Sequence, residues 1–308
     1  MPETTRTPKW HYEISPPSRR RRRSVSRRER VTQGTRWNSS RVPRAFALCI
    51  GVDAVDTSHY RSSGRVWNGN LFGAERHARE VGALFSARGI EPTVVTARDA
   101  TSESLVAHIG RCARSAVAGD LMVLYFSGHG GFPLIDARRM PVLACFDRML
   151  LAAELHTAFS AFSFGVRVVS LIDACHAGTV FYWGADSGDG ARPVDQSYAA
   201  HFPGYLDCFY QQHRDVYDAI LAALPAAALQ TEVLHFGACQ DEAAALDAGE
   251  RGGVFTLAFL DAWNGGAFMG SYRDLYVAIA RRTGRQVPTL MSAGPRLPAF
   301  VDQPALFV

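Results

Sequence analysis

The chain has 308 residues, 47% of them hydrophobic and 20% charged, an ordinary globular composition with enough apolar residues to bury a sizeable core. Its longest apolar runs, Leu121–Phe126 and Val166–Ile172, fall well short of the roughly 18 residues of a membrane helix, which excludes an integral membrane protein built on helices. The net charge of +4 divides unevenly, with +10 on residues 1–44 and −6 on the remainder.

Residues 1–43 are rich in Arg, Ser, Thr and Pro and lack hydrophobic periodicity, so they read as a disordered, solvated tail. No apolar segment follows the arginines, so no secretory or twin-arginine signal is expected. Nucleic-acid binding through Arg19–Arg23, Arg27, Arg28 and Arg30 stays open as an alternative, although no aromatic residues alternate with the basic run. Folded structure is expected from about residue 44. Ala45–Val52 is a short apolar run of the kind found in central parallel strands. Gly73–Arg88 is amphipathic, with Ala74, Ala78, Val81, Leu84 and Phe85 on one stripe and Gly89 as a stop. Thr93–Thr96 is a second strand, and Thr101 caps a helix running to about Val117. Asp120–Phe126 is a third strand, Leu151–Phe162 a helix and Val166–Ile172 a fourth strand. The Gly-, Asp- and Pro-rich stretch Thr179–Asp207 has the length of a functional loop or linker. A helix over Gln211–Leu224, ended by Pro225, leads to a fifth strand at Glu232–Ala238. Helices at Val254–Trp263 and Tyr272–Arg282 complete the pattern. Such alternation predicts one α/β domain over 44–308, a mostly parallel sheet with helices on both faces.

The six cysteines, at 49, 112, 145, 175, 208 and 239, form no CxxC pair. That spacing argues against a disulfide framework or a structural zinc site and fits a reducing, cytoplasmic compartment. Cys49, Cys112 and Cys239 read as small core residues.

Two strands end in turns of small and polar residues: Ser127-Gly128-His129-Gly130-Gly131 and Asp173-Ala174-Cys175-His176-Ala177-Gly178. Ligands collect at the carboxyl ends of parallel strands, so neighbouring strands would bring His129 near Cys175. A thiol becomes nucleophilic near neutral pH only beside a base or a cation. Gly130 and Gly131 allow backbone N–H groups to approach a ligand, and with the N–H of Cys175 they could form an oxyanion hole. His176 is the rival base, but adjacent side chains at a strand end diverge.

YFSGHG at 125–130 and LIDACHAG at 171–178 resemble the two signatures of caspase-like cysteine peptidases, in the metacaspase and bacterial orthocaspase branch. Arg44–Asp53, Leu71–Val81, Phe236–Gln240 and Gly252–Thr256 are similar to further family segments, and the resemblance spans residues 44–308. It implies a caspase-like fold with a mostly parallel six-stranded sheet flanked by helices on both faces. It also implies an endopeptidase in which Cys175 is the nucleophile, His129 the general base, and Gly130 and Cys175 the oxyanion donors. Asp173 and Ser127 would line the specificity pocket and favour Arg or Lys at the cleaved position. Departures accompany the match. The family's second pocket acid falls on His77, with Glu75 as the candidate substitute. The expected calcium ligands are sparse: only Asp136, Asp147, Glu154 and Asp173 lie between His129 and Cys175, and Tyr182 and Asp186 follow. No metal or other cofactor is expected, and activity should survive a calcium chelator. The expected partners are a protein substrate and an upstream protease or activating partner, with the chain itself a monomer. Arg23, Arg28, Arg30 and Arg192 lie in segments open to proteolytic processing, which suits a zymogen. A catalytically silent adaptor and a different thiol enzyme, such as an acyltransferase, are the alternatives.

Overall fold

A computed structural model describes residues 41–135, 138–181, 206–295 and 300–306. Arg23, Arg28, Arg30, Asp136, Tyr182, Asp186, Arg192 and most of the 179–207 loop lie outside the described residues, as does the tail up to residue 40.

The elements in chain order are β1 (Ala45–Gly51), α1 (Ala74–Ala87), β2 (Pro92–Thr96), α2 (Ser102–Ser115), β3 (Leu121–Ser127), α3 (Ala152–Ser160), β4 (Arg167–Asp173), α4 (Asp207–Gln212), α5 (Arg214–Ala223), β5 (Glu232–Gly237), α6 (Val254–Trp263), α7 (Tyr272–Ala280) and β6 (Thr289–Ala293). The six strands form one sheet in the order β6-β5-β4-β3-β1-β2. All neighbours are parallel except β5 and β6. Every residue of β3 is buried, as befits a central strand covered on both faces. Half-exposed β2 takes an edge.

Alternate side chains of the strands feed two apolar clusters. Leu48, Ile50, Met122, Leu124 and Phe126 pack with Leu105 and Ile109 of α2 and Leu155 and Phe159 of α3. Cys49, Val123, Tyr125, Leu171 and Phe236 pack with Val81 and Phe85 of α1, Phe259 of α6 and Leu275 of α7. The expected arrangement of helices on both faces follows from this alternation. Thr101 caps α2 as expected, its hydroxyl accepting from the Ser104 N–H at 3.1 Å.

Three features differ from expectation. The helix predicted over 211–224 is two helices, broken at His213, which takes non-helical φ/ψ of −119° and 30°. Its ring stacks on His59 with centroids 4.0 Å apart and bonds to the His59 carbonyl at 2.8 Å, a tertiary tie that outweighs helix continuation. β6, with no apolar run of its own, closes the sheet antiparallel to β5. The residues after β3 build a small antiparallel sheet from Gly130–Gly131, Val142–Ala144 and Met149–Leu151. Among the described residues no helix is long and apolar enough to cross a membrane. Cys49, Cys112, Cys145 and Cys239 are buried, and Cys175 and Cys208 are partly exposed.

Candidate active site

Strand register builds the site. Gly51 of β1, Ser127 of β3 and Asp173 of β4 stand level in neighbouring strands. His129 and Cys175 each follow two residues later, so the two glycine-containing turns emerge side by side at the carboxyl edge. The Gly128 N–H donates to the Asp173 carbonyl at 3.1 Å and ties one turn to the other. Gly130 lies directly against the backbone of Cys175; a Cβ there would overlap the Cys175 carbonyl oxygen, so only glycine permits this approach.

His129 donates from Nε2 to the Gly69 carbonyl at 2.6 Å, and its ring meets Trp67 edge-on with centroids 4.8 Å apart. A carbonyl can only accept, which keeps the proton on Nε2 and leaves Nδ1 as the basic nitrogen. Burial lowers the affinity of the ring for a second proton, and the Gly69 bond and the charge of Asp247 partly restore it. The Cys175 Sγ accepts from the Ala245 N–H at 3.3 Å. Burial pushes the thiol up from its ordinary value; the Ala245 N–H pulls it down and the charge of Asp173 adds to the rise. Thiol and imidazole are therefore both neutral at rest, a pair ready to exchange one proton. Among the described residues no hydrogen bond links them directly.

The other predicted residues divide by location. Asp173 is 4% exposed, and its Oδ2 accepts from the Thr256 N–H at 3.0 Å and the Thr256 hydroxyl at 2.6 Å. Thr256 is the third residue of α6, whose N-cap is Gly253, so Asp173 caps this helix from across the fold. Gly253 packs so closely on the carboxylate that a Cβ would overlap it. Burial raises Asp173 to about 6, against the lowering effect of the two Thr256 bonds. Ser127 is buried beside it in register. His77 has no solvent exposure. Its ring lies against the backbone of Gly252. Burial lowers its pKa, so it stays neutral and brings no charge to the site. Glu75 pairs with Arg79 at 3.1 Å along α1. His176 turns its Nδ1 to the Asp241 carbonyl and stacks on Phe132, away from the thiol.

Of the carboxylates weighed as calcium ligands, Asp147 accepts from the Ser102 N–H and hydroxyl, each at 2.7 Å. Glu154 pairs with Arg148 at 2.7 Å. Among the described residues no group of three acidic, His or Cys side chains gathers as a metal site. Sequence reasoning missed Gly69, Trp67, Ala245, Asp247 and the capping role of Thr256. A backbone carbonyl or amide leaves no mark in sequence; Thr256 lay in a segment singled out only by resemblance.

The model of the caspase-domain family matches residues 44–300. The crystal structure of protein GSU0716 from Geobacter sulfurreducens is similar to the chain at 31% identity and a TM-score of 0.71, covering 85% of this chain and 98% of that one. The crystal structure of caspase-1 from Spodoptera frugiperda aligns at 14% identity and a TM-score of 0.49, covering 83% and 88% respectively. No curated protein matches the chain.

Proposed function

The chain belongs to the caspase-domain family, and from that premise we propose that it is a cysteine endopeptidase working through His129 and Cys175, selective for Arg or Lys before the cleaved bond. The observation that carries this reading is the level register of Ser127 and Asp173, which delivers a half-buried imidazole and a thiol to one sheet edge two residues further on. The Gly69 carbonyl adds to it by leaving His129 Nδ1 free to act as base.

In this mechanism Nδ1 takes the Cys175 proton as Sγ attacks the scissile carbonyl carbon. The carbonyl π electrons move to oxygen, and the oxyanion is met by the N–H groups of Gly130 and Cys175. The tetrahedral adduct collapses as the imidazolium gives its proton to the leaving amine, and a thioester remains. Water then loses a proton to Nδ1 and attacks the thioester, and the thiolate leaves and recovers that proton. Asp173, beside Ser127, supplies negative charge near the cleaved residue, which favours a cation. Arg192, with Arg23, Arg28 and Arg30, supplies cleavable bonds for activation by the enzyme itself or by an upstream protease.

The test is a peptide library incubated with the wild type, Cys175→Ala and His129→Ala. Wild-type cleavage after basic residues is expected, with losses of several orders of magnitude in both variants. Undiminished cleavage by Cys175→Ala overturns the mechanism. A wild type that cleaves nothing and takes up no arginine-based covalent probe is a silent adaptor.

A further inference from the structure

The specificity pocket inferred from resemblance is short of charge. Position 77, where a second acid was expected, holds a neutral, fully buried imidazole. Glu75 is paired with Arg79. Asp173 keeps its position beside the thiol, yet Oδ2 is committed to the N-terminus of α6.

The ribbon that follows β5 supplies what is missing. It starts at the thiol, where the Ala245 N–H meets Cys175 Sγ at 3.3 Å. It then pairs antiparallel with the segment entering α6. The Leu246 carbonyl accepts from the Val254 N–H at 2.9 Å, Asp247 is bridged to Gly253, and the Ala248 N–H donates to the Gly252 carbonyl at 2.9 Å. Gly253 rests on the Asp173 carboxylate, and Gly252 rests on His77. Asp247 therefore sits two residues from the contact on the nucleophile and directly across from the residue that covers Asp173. It is exposed, and its carboxylate makes no hydrogen bond or ion pair with any described residue. Its negative charge favours the protonated forms of His129, Asp173 and His77.

We propose that Asp247 is the second cation-selecting carboxylate of the substrate cleft, standing in for the acid absent at position 77 and holding the Arg or Lys side chain together with Asp173. The inference rests on the peptidase reading above. A guanidinium offers donors along two edges, so one carboxylate at the floor and another on the ribbon engage different edges. Asp247 is solvated until a substrate covers it, so its attraction strengthens as the cleft closes and water leaves.

The experiment compares the wild type with Asp247→Asn, Asp247→Lys and Glu250→Gln, an exposed acid of the same loop, on peptides bearing Arg, Lys or citrulline before the cleaved bond. Citrulline keeps the shape of Arg and removes its charge. The Arg-over-citrulline ratio of kcat/KM should fall about 10- to 100-fold in Asp247→Asn, the worth of one charged hydrogen-bonding partner. It should fall further in Asp247→Lys and hold in Glu250→Gln. A wild type that prefers Arg with an unchanged ratio in Asp247→Asn overturns the role of Asp247 and leaves the peptidase reading standing. An equal fall in Glu250→Gln, or a parallel loss on Arg and citrulline, also overturns it. A wild type that cleaves no peptide overturns both.

Discussion

At Cys175 and His129, burial acts on two groups in opposite senses. It penalises whichever form is charged, so it raises the thiol and lowers the imidazole, and each ends in its neutral state. A preformed thiolate–imidazolium pair would alkylate at a high, level rate from acid to neutral pH. Here the rate of Cys175 alkylation by iodoacetamide should instead climb with pH into the alkaline range, with no plateau below pH 7; such a plateau, followed by mass spectrometry of the Cys175 peptide, would contradict this electrostatic account. The two residues were legible in sequence because each follows an apolar run into a turn of small residues. His77 was harder to place. The resemblance set it in the substrate pocket, whereas α1 buries it on the same face as Ala78 and Val81. The Gly69 carbonyl and the Ala245 amide were not legible, since every residue carries such groups and only the fold aims them.

The elements expected from apolar runs form where predicted, because burial on both faces leaves β1, β3, β4 and β5 little freedom to be anything else. β6 and the short strands after His129 were missed, since strands of two to five residues are too short to carry a distinctive pattern. What the sequence does not display is how elements are tied by acids from elsewhere. Asp53 Oδ1 accepts from the N–H groups of Gly73 and Ala74 at the start of α1, as Asp173 does for α6. Asp241, after β5, does the same for the turn beyond Cys175, accepting from the Thr179 N–H at 2.8 Å and its hydroxyl at 2.7 Å. Burial raises Asp241 to about 6 despite these bonds. The folded state thus holds this proton more tightly than the unfolded chain. Stability from this group is fully present below about pH 4, the ordinary carboxyl range, and is lost as pH rises to about 6. Asp241→Asn keeps an acceptor for the N–H and a donor for the hydroxyl while removing the titration. The variant should match the wild type near pH 4 and gain on it through pH 6, by on the order of 3 kcal/mol. Asp173 titrates in the same window but is common to both chains and cancels. A stability difference that stays constant from pH 4 to 7 in denaturant unfolding would refute the assignment.

Over the whole molecule, charge marks where the folded body begins. The surplus of +10 over residues 1–44 gives way to −6 beyond, and the two regimes meet at Asp120. Its side chain has no solvent exposure. Oδ1 receives the Arg41 guanidinium at 2.6 Å and the Arg44 N–H at 2.8 Å, while Oδ2 receives the Val117 N–H at 3.1 Å and lies 3.5 Å from the Arg44 guanidinium. Asp120 itself precedes β3, and its carbonyl accepts from the Arg167 N–H at the start of β4, so the anchor reaches the two strands that carry the site. A buried carboxylate stripped of its cations is costly; because Arg41 and Arg44 are themselves partly exposed, solvent moderates the loss to about 2 kcal/mol. A chain beginning at residue 41 should therefore melt with the full-length protein, whereas one beginning at residue 45 should melt roughly 4–8 °C lower. Asp120→Asn separates the charge from the loss of chain. Its amide needs no cation, so in that background removal of residues 41–44 should cost much less. Equal melting temperatures for the chains starting at 41 and 45 would show that the folded body does not depend on this anchor; an equal loss in the Asp120→Asn background would assign the effect to backbone contacts rather than to charge.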